Sequence, residues 1–272
     1  MSTAAAQVDR TSGERPEPGR LERSALAGVL AREIINFSSY WRSTTFSSTV
    51  EPTIYLLAFG FGFGSIVSTV GGYDYVEFVG TGTVATAVLF SSVFPGMFGT
   101  FVKYQFQRTY DAILAAPVDA EELVTGEALW LAMRASVYGC TPMLVAMVFG
   151  LDPSWGMLTV PLINFIAGFG WACTGITIAG LLKGIENFNY VTSAVITPLF
   201  LVAGTFFPID GLPKGIQVLA QFNPLYHVVE LVRHAVFGWE GWVDLYHVSF
   251  IVAFGLLMWR MGIRAMTRKL VD

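Results

Sequence analysis

The sequence predicts an all-α membrane protein with six transmembrane helices. Three observations lead there. Only 13% of the 272 residues are charged and 54% are hydrophobic, whereas an ordinary soluble domain carries about 25% charged residues, so a bilayer is the expected solvent for most of the chain. Six apolar stretches each approach the ~20 residues that a helix needs to cross hydrocarbon. The lysines and arginines gather on one side of those stretches, an asymmetry that orients membrane helices. A net charge of −4 excludes the basic footprint of a nucleic-acid binder. Cys140 and Cys173 lie inside apolar runs and read as small buried residues, without disulfide or zinc spacing.

Taken in order, residues 1–20 are polar and hold Pro and Gly but no apolar core, so they read as a disordered cytoplasmic tail and not a signal peptide. Residues 21–42 (LERSALAGVLAREIINFSSYWR) interleave apolar residues with Arg23, Arg32, Glu33 and Arg42, and place Tyr40 and Trp41 near the end. That pattern predicts an amphipathic helix lying along the membrane interface, with its aromatics at headgroup level. The spans are expected at about 50–68, 78–102, 123–149, 157–182, 190–208 and 243–263. Pro95, Pro142 and Pro198 fall within them, and neighbouring helices can satisfy the carbonyls that they free. Thirteen of the sixteen Lys and Arg residues precede span one, lie at the C-terminal end from Arg260 on, or sit in the loops after spans two and four. Both termini are therefore expected in the cytoplasm. Arg134 lies within span three and reads as snorkelling to headgroups or pairing with Glu127.

Two polar segments interrupt this pattern. In the loop 103–122, Phe106 to Ala115 suits a short helix with Tyr110, Ile113 and Leu114 as its apolar contacts. Pro117 ends it, and Asp119 with Glu122 forms a capping-box pattern that starts span three. Such a helix is either a connector or a handle that passes force into the spans. After span five, residues 202–239 suit two helices, roughly 213–222 and 225–237, each too short to cross a bilayer and too apolar for water. A re-entrant pair, about 209–239, satisfies both constraints. Within it Glu230 lies one turn from Arg233 and His234, which shelters those charges. His227 and His234 lack a third ligand at regular spacing, so no metal is expected. No phosphate loop, H-E-x-x-H or G-x-S-x-G occurs.

Two stretches, QRTYDAILAAPVDAEELVTGE (107–127) and FLVAGTFFPIDGLPKGIQVLAQFNPLYHVVELVR (200–233), resemble the membrane subunits of ABC-2 type exporters. YLLAFGFGFG (55–64) and GTFVKYQFQRTYDAILAAP (99–117) resemble the nodulation-factor (NodJ-like) branch of that family. The resemblance spans nearly the whole chain after about residue 25. It implies a transmembrane domain over 21–272 that pairs with a second copy of itself or a related permease. It also implies docking on a separate ABC ATP-binding subunit that carries ATP and Mg, so that the chain binds no cofactor and is no enzyme. The coupling helix carried over by likeness is Gln107, Arg108, Thr109, Tyr110, Asp111 and Leu114, ending at Ala115. The N-terminal helix would lie at the same docking surface, and the outer helical pair with His227, Glu230, Arg233 and His234 would cap the path. Dimer contact runs along spans one and five in the family, and Gly60 with Gly64 forms a G-x-x-x-G in span one. The implied function is export of an amphipathic or lipid-like cargo (a drug, a lipid or a lipid-linked glycan) across the cell membrane, with lipids as neighbours and no nucleic acid. The Phe residues of spans one, two and five either line an apolar route or face lipid. The competing reading is a lipid-modifying enzyme that uses His227, Glu230 and His234.

Overall fold

The computed structural model describes residues 22–64, 66–67 and 69–271; the tail predicted for residues 1–20 lies outside them. The described chain is almost entirely helical. Helix α1 runs without a break from Arg23 to Gly64, 42 residues, or about 63 Å at the usual rise. The interface helix and the first span, predicted as two elements, are therefore one. The cause lies in the joining residues 43–49, STTFSST, which hold no Gly or Pro to stop a helix. Thr45 and Thr53 instead return their hydroxyls to the Trp41 and Thr49 carbonyls.

A small hairpin, β1 (Thr69–Val70) with β2 (Tyr73–Asp74), follows, and an all-helical expectation omitted it. Its turn uses Gly71 and Gly72 at φ 59° and 89°, a region that only glycine enters freely. Asp74 then caps α2 (Tyr75–Phe94) by accepting the Val76 amide at 2.9 Å. A π-helical turn, Pro95–Gly99, links α2 to α3 (Thr100–Gln105), and α4 (Thr109–Leu114) lies beyond. Next come α5 (Ala120–Tyr138) and α6 (Thr141–Val148), stepped before Pro142. Helix α7 is Val160–Leu181, preceded by a 3-10 turn at Trp155–Thr159. A segmented stretch holds α8 (Phe188–Val191), a π-helical turn and α9 (Thr197–Leu201). Two helices of the second polar segment, α10 (Lys214–Ala220) and α11 (Pro224–Phe237), precede α12 (Trp242–Val271).

Four elements among the described residues are long and apolar enough to cross a membrane: Tyr75–Gln105, Ala120–Val148, Trp155–Leu181 and Trp242–Leu270. They match predicted spans two, three, four and six. Span five is shorter than the expected 190–208. Its helical part ends at Leu201, and the chain turns at Gly204, φ 79°, where Arg233 holds the Gly204 carbonyl at 2.6 Å.

Helix α7 is the centre of the bundle and packs against α2, α5 and α12. Small residues permit that closeness. A Cβ on Gly175 would lie 2.4 Å from the Val93 carbonyl oxygen, and one on Gly180 would lie 2.8 Å from Ala265 Cβ. Gly60 and Gly64 use their close approach inside the chain: a Cβ at either would meet Val76 or Tyr75 of α2, at 3.3 Å and 3.8 Å respectively. The G-x-x-x-G of α1 therefore touches α2 at these two positions. Arg134 has no carboxylate within salt-bridge distance among the described residues. Its Nη2 donates to the Ser91 carbonyl at 3.2 Å, the carbonyl that Pro95, lacking an N–H four residues on, leaves without a helical partner.

Candidate functional site

Helix α4 is shorter than predicted. Gln107 and Arg108 precede it, and Arg108 takes a left-handed conformation, φ 53°, which breaks the chain between α3 and α4. Gln107, Arg108, Asp111, Ala112 and Ala115 are exposed, whereas Thr109, Ile113 and Leu114 are half-buried. Arg108 and Asp111 face each other at 3.6 Å; an exposed pair of this kind adds little to stability. The helix is held from its other side by Tyr110, which is 2% exposed and packs with Val29, Leu123 and Val124.

Tyr110 leads into a buried polar cluster that joins four elements. Its hydroxyl donates to the Glu127 carboxylate of α5. Burial first, and then the Glu127 charge, push the Tyr110 phenol well above its ordinary range, so it stays a neutral donor. Lys103 of α3 lies 2.8 Å from Glu127 Oε1 and 2.9 Å from Glu33 Oε1 of α1. Arg32 adds a second cation to Glu33 at 2.7 Å, and Thr100 reaches Glu127 at 3.4 Å. A displacement of α4 therefore acts on α1, α3 and α5 together, because each buried carboxylate needs its partner to stay solvated.

The capping box forms as predicted: the Asp119 side chain accepts from the Glu122 backbone, and Glu122 Oε2 accepts the Asp119 amide at 2.9 Å. Glu122 Oε1 also accepts the Glu22 amide at 2.6 Å, so the cap ties the start of α1 to α5. Asp119→Ala is expected to lower stability by about 0.5–2 kcal/mol, read as a lower thermal-unfolding midpoint in detergent. An unchanged midpoint would deny the cap any part in the fold. Between this corner and the 113–118 turn lies a groove of about 400 Å³ flanked by Glu22, Ala25, Arg32, Ile113 and Pro117.

At the opposite end, α11 presents the second polar set. His227 is fully buried, with Nδ1 2.7 Å from His247 Nδ1 and Nε2 2.9 Å from the Gln221 carbonyl. Both ring nitrogens are thus engaged, and the imidazole fastens α11 to α12. Arg233 pairs with Glu230 at 3.1 Å and covers the Phe78 ring at 3.7 Å. His234 Nδ1 meets Asp244 Oδ1 at 2.6 Å. Of the three residues proposed for an enzymatic site, Glu230 and His234 lie together, His234 Nε2 3.9 Å from Glu230 Oε2, while His227 turns to His247 and the Gln221 carbonyl. No group of three or more His, Cys, Asp or Glu side chains suited to a metal occurs among the described residues.

A cavity of about 380 Å³ lies along α1, α2 and the segmented fifth helix, with Tyr55, Phe90, Phe94, Phe200 and Phe206 in its wall. Of the Phe residues in spans two and five, Phe90, Phe94, Phe200 and Phe206 line it, and span one contributes Tyr55. Sequence reasoning counted Lys103 only toward topology, left Glu33 on a surface helix and missed His247. Acidic residues among apolar neighbours were the available signal, since each demands a partner, but the partner's identity was not local.

The sequence profile of the ABC-2 type transporter family matches residues 25–237. Nodulation protein J of Sinorhizobium fredii is 29% identical over 259 residues, covering 90% of this chain and 98% of the relative. Nodulation protein J of Rhizobium leguminosarum bv. viciae is 31% identical over 202 residues, covering 73% and 78%. The inner membrane transport permease YadH of Escherichia coli K12 is 26% identical over 249 residues, covering 87% and 94%.

Proposed function

The chain belongs to the ABC-2 type transporter family, and from that premise we propose that it is the permease subunit of an ATP-driven exporter. ATP and Mg would be held by a separate ATP-binding subunit, consistent with a sequence that has no phosphate loop. One observation carries the reading. Arg108, just before helix α4, and Asp111 within it are exposed on one side, while on the other Tyr110 is tied through Glu127 and Lys103 to Glu33. A partner that grips the exposed side would pull on α1, α3 and α5 at once. The groove beside Glu22 and Pro117 extends that docking face onto the start of α1.

In this reading six crossings are completed by the distal part of α1 and the stretch 188–201, both termini are cytoplasmic, and α10 with α11 enters the membrane from outside. The lopsided distribution of Lys and Arg supports that orientation. A second copy or a related permease closes the path, and the aromatic cavity receives an amphipathic or lipid-like cargo. Nucleotide-driven closure of the partner would shift the permease between inward and outward states, to the extent that docking favours one of them.

The test is co-purification from native membranes in mild detergent, with an ATPase assay of what accompanies the chain. The variant Arg108→Asp with Asp111→Arg keeps the mutual pair but inverts the charges offered to a partner. Wild type is expected to bring down an ATPase, and the variant to lose at least about tenfold of it, as buried interfacial charge pairs do, at an unchanged unfolding midpoint. Full retention of ATPase and transport in the variant would overturn α4 as the docking element.

A further inference from the structure

Helix α12 has two faces of different chemistry, and the inner one fixes how the helix is rotated. Gly255 and Gly262 lie against Gly170 and Thr177 of α7, and Ala265 lies against Gly180. Trp259 donates its indole N–H to Thr125 of α5 at 2.8 Å. Lys269 turns inward and gives its ammonium to the Ala179 and Leu182 carbonyls at 2.7 Å and 2.6 Å. The outer face is exposed. Val252, Leu256 and Leu257 come first, and Arg260, Arg264 and Arg268 continue it at intervals of four residues. Each such step turns the helix by only about 40° beyond a full turn, so the three arginines form one ridge in line with the leucines.

Position along the axis sets the level of that ridge in a bilayer. Trp242 and Tyr246 are exposed at the start of α12, the aromatic marker of one membrane interface. Arg260 follows Trp242 by about 27 Å, Arg264 by about 33 Å and Arg268 by about 39 Å. Hydrocarbon is about 30 Å thick, and headgroups bring a bilayer to about 40–45 Å. Arg260 and Arg264 therefore stand where hydrocarbon gives way to headgroups, and Arg268 at the outer edge of that layer. None of the ion pairs among the described residues involves these three arginines. Within Trp242–Val271 the one carboxylate is Asp244, at the opposite end. A zwitterionic headgroup would bring a cation of its own to this row of cations. A phosphate without an amine is received by a guanidinium fork through two parallel hydrogen bonds.

We infer that the ridge of Arg260, Arg264 and Arg268 is a binding site for anionic phospholipid, with phosphate held between neighbouring guanidiniums, and that a headgroup with two phosphates fits it best. The inference rests on α12 crossing a membrane, and not on the cargo or the ATPase partner. The test uses the purified full chain in dodecyl maltoside, titrated with dioleoyl phosphatidylglycerol, tetraoleoyl cardiolipin or dioleoyl phosphatidylcholine. Bound lipid is counted by native mass spectrometry, and the thermal-unfolding midpoint is followed in parallel, since a ligand of the folded state raises it. Wild type is expected to hold phosphatidylglycerol at least about 25-fold more tightly than phosphatidylcholine, and cardiolipin more tightly still, with the preference shrinking as salt rises. Arg260→Gln with Arg264→Gln is expected to cut that preference about fivefold for each arginine removed. Its midpoint without lipid is expected to hold, because exposed side chains without partners carry little of the fold. Equal retention of phosphatidylglycerol and phosphatidylcholine by wild type would leave the ridge to an acidic protein surface and refute the site. Unchanged phosphatidylglycerol binding in the double variant would refute it too, and cardiolipin no tighter than phosphatidylglycerol would remove the two-phosphate preference. If the lipid selectivity holds while no ATPase co-purifies from native membranes, the permease reading falls and this site stands; if the ATPase co-purifies and selectivity is missing, only the site falls.

Discussion

Lys103→Met is expected to destabilise the protein by about 3–5 kcal/mol, the cost of leaving buried charge uncompensated. Lys103 is the shared partner of two carboxylates, at 2.9 Å and 2.8 Å, whose side chains are only 5% and 3% exposed. Removing the ammonium leaves Glu33 with Arg32 as its one cation and Glu127 with only the neutral donors Tyr110 and Thr100, in a site where hydration is restricted. One of them must then take up a proton, or the corner between α1, α3 and α5 must open to water. Either result also loosens Tyr110, which donates to Glu127. The expected phenotype is therefore double: a lower unfolding midpoint, and ATPase activity that no longer follows transport. Neutralising the acids as well (Glu33→Gln with Glu127→Gln) in the Lys103→Met background is expected to recover much of the stability, because paired removal of buried charge is far cheaper than removal of one partner. Recovery of stability without recovery of coupled transport would assign the cluster a part in force transfer. A Lys103→Met midpoint within experimental scatter of wild type would sink this account of the corner.

Gly175→Ala is expected to cost at least the upper end of the roughly 1–3 kcal/mol typical of overpacking. A Cβ there would lie 2.4 Å from the Val93 carbonyl oxygen and 2.8 Å from the Met97 nitrogen. Those are backbone atoms just before and within the π-helical turn at Pro95–Gly99, and no side-chain rotation can relieve them. Across the same crossing, a Cβ on Gly96 would meet the Ala172 carbonyl oxygen at 2.7 Å. The two substitutions share one interface, so their costs are expected to be less than additive. Because Phe90 and Phe94 precede this turn and line the cavity, prying α2 from α7 is also expected to reshape the cavity. Gly99→Ala is the control: nothing lies within 4 Å of its Cβ position, and the midpoint is expected to hold or rise slightly. Equal effects from Gly99→Ala and Gly175→Ala in thermal unfolding would show that the close approach does not govern the crossing.

The legible parts of this protein were those that a short window specifies. Spans two, three, four and six follow from sustained apolar runs, and the Asp119–Glu122 cap from residues three apart. Tyr110 as the apolar contact of α4 followed from its place in a polar loop. Where local rules were read alone, they misplaced boundaries. The polar joint at 43–49 suggested two helices because its composition changes there, yet nothing in it stops a helix, and α1 continues. Span five was drawn as one long apolar run, but the turn at Gly204 is held by Arg233, a residue 29 positions further along.

Composition, hydropathy and the Lys/Arg distribution thus determined by themselves that this chain is a helical, multi-pass membrane protein with a patterned helix between two of its spans. Those are properties of transfer from water to hydrocarbon and of hydrogen bonds closed within one turn, and both are set by neighbouring residues. Only the tertiary structure decided that Lys103 serves Glu33 and Glu127, 70 and 24 positions away, that Arg134 satisfies a carbonyl freed by a proline on another helix, and that His227 meets His247. A buried polar group must find a partner, but which partner depends on where helices cross, and that crossing is set by glycines such as Gly96 and Gly175 meeting across the bundle.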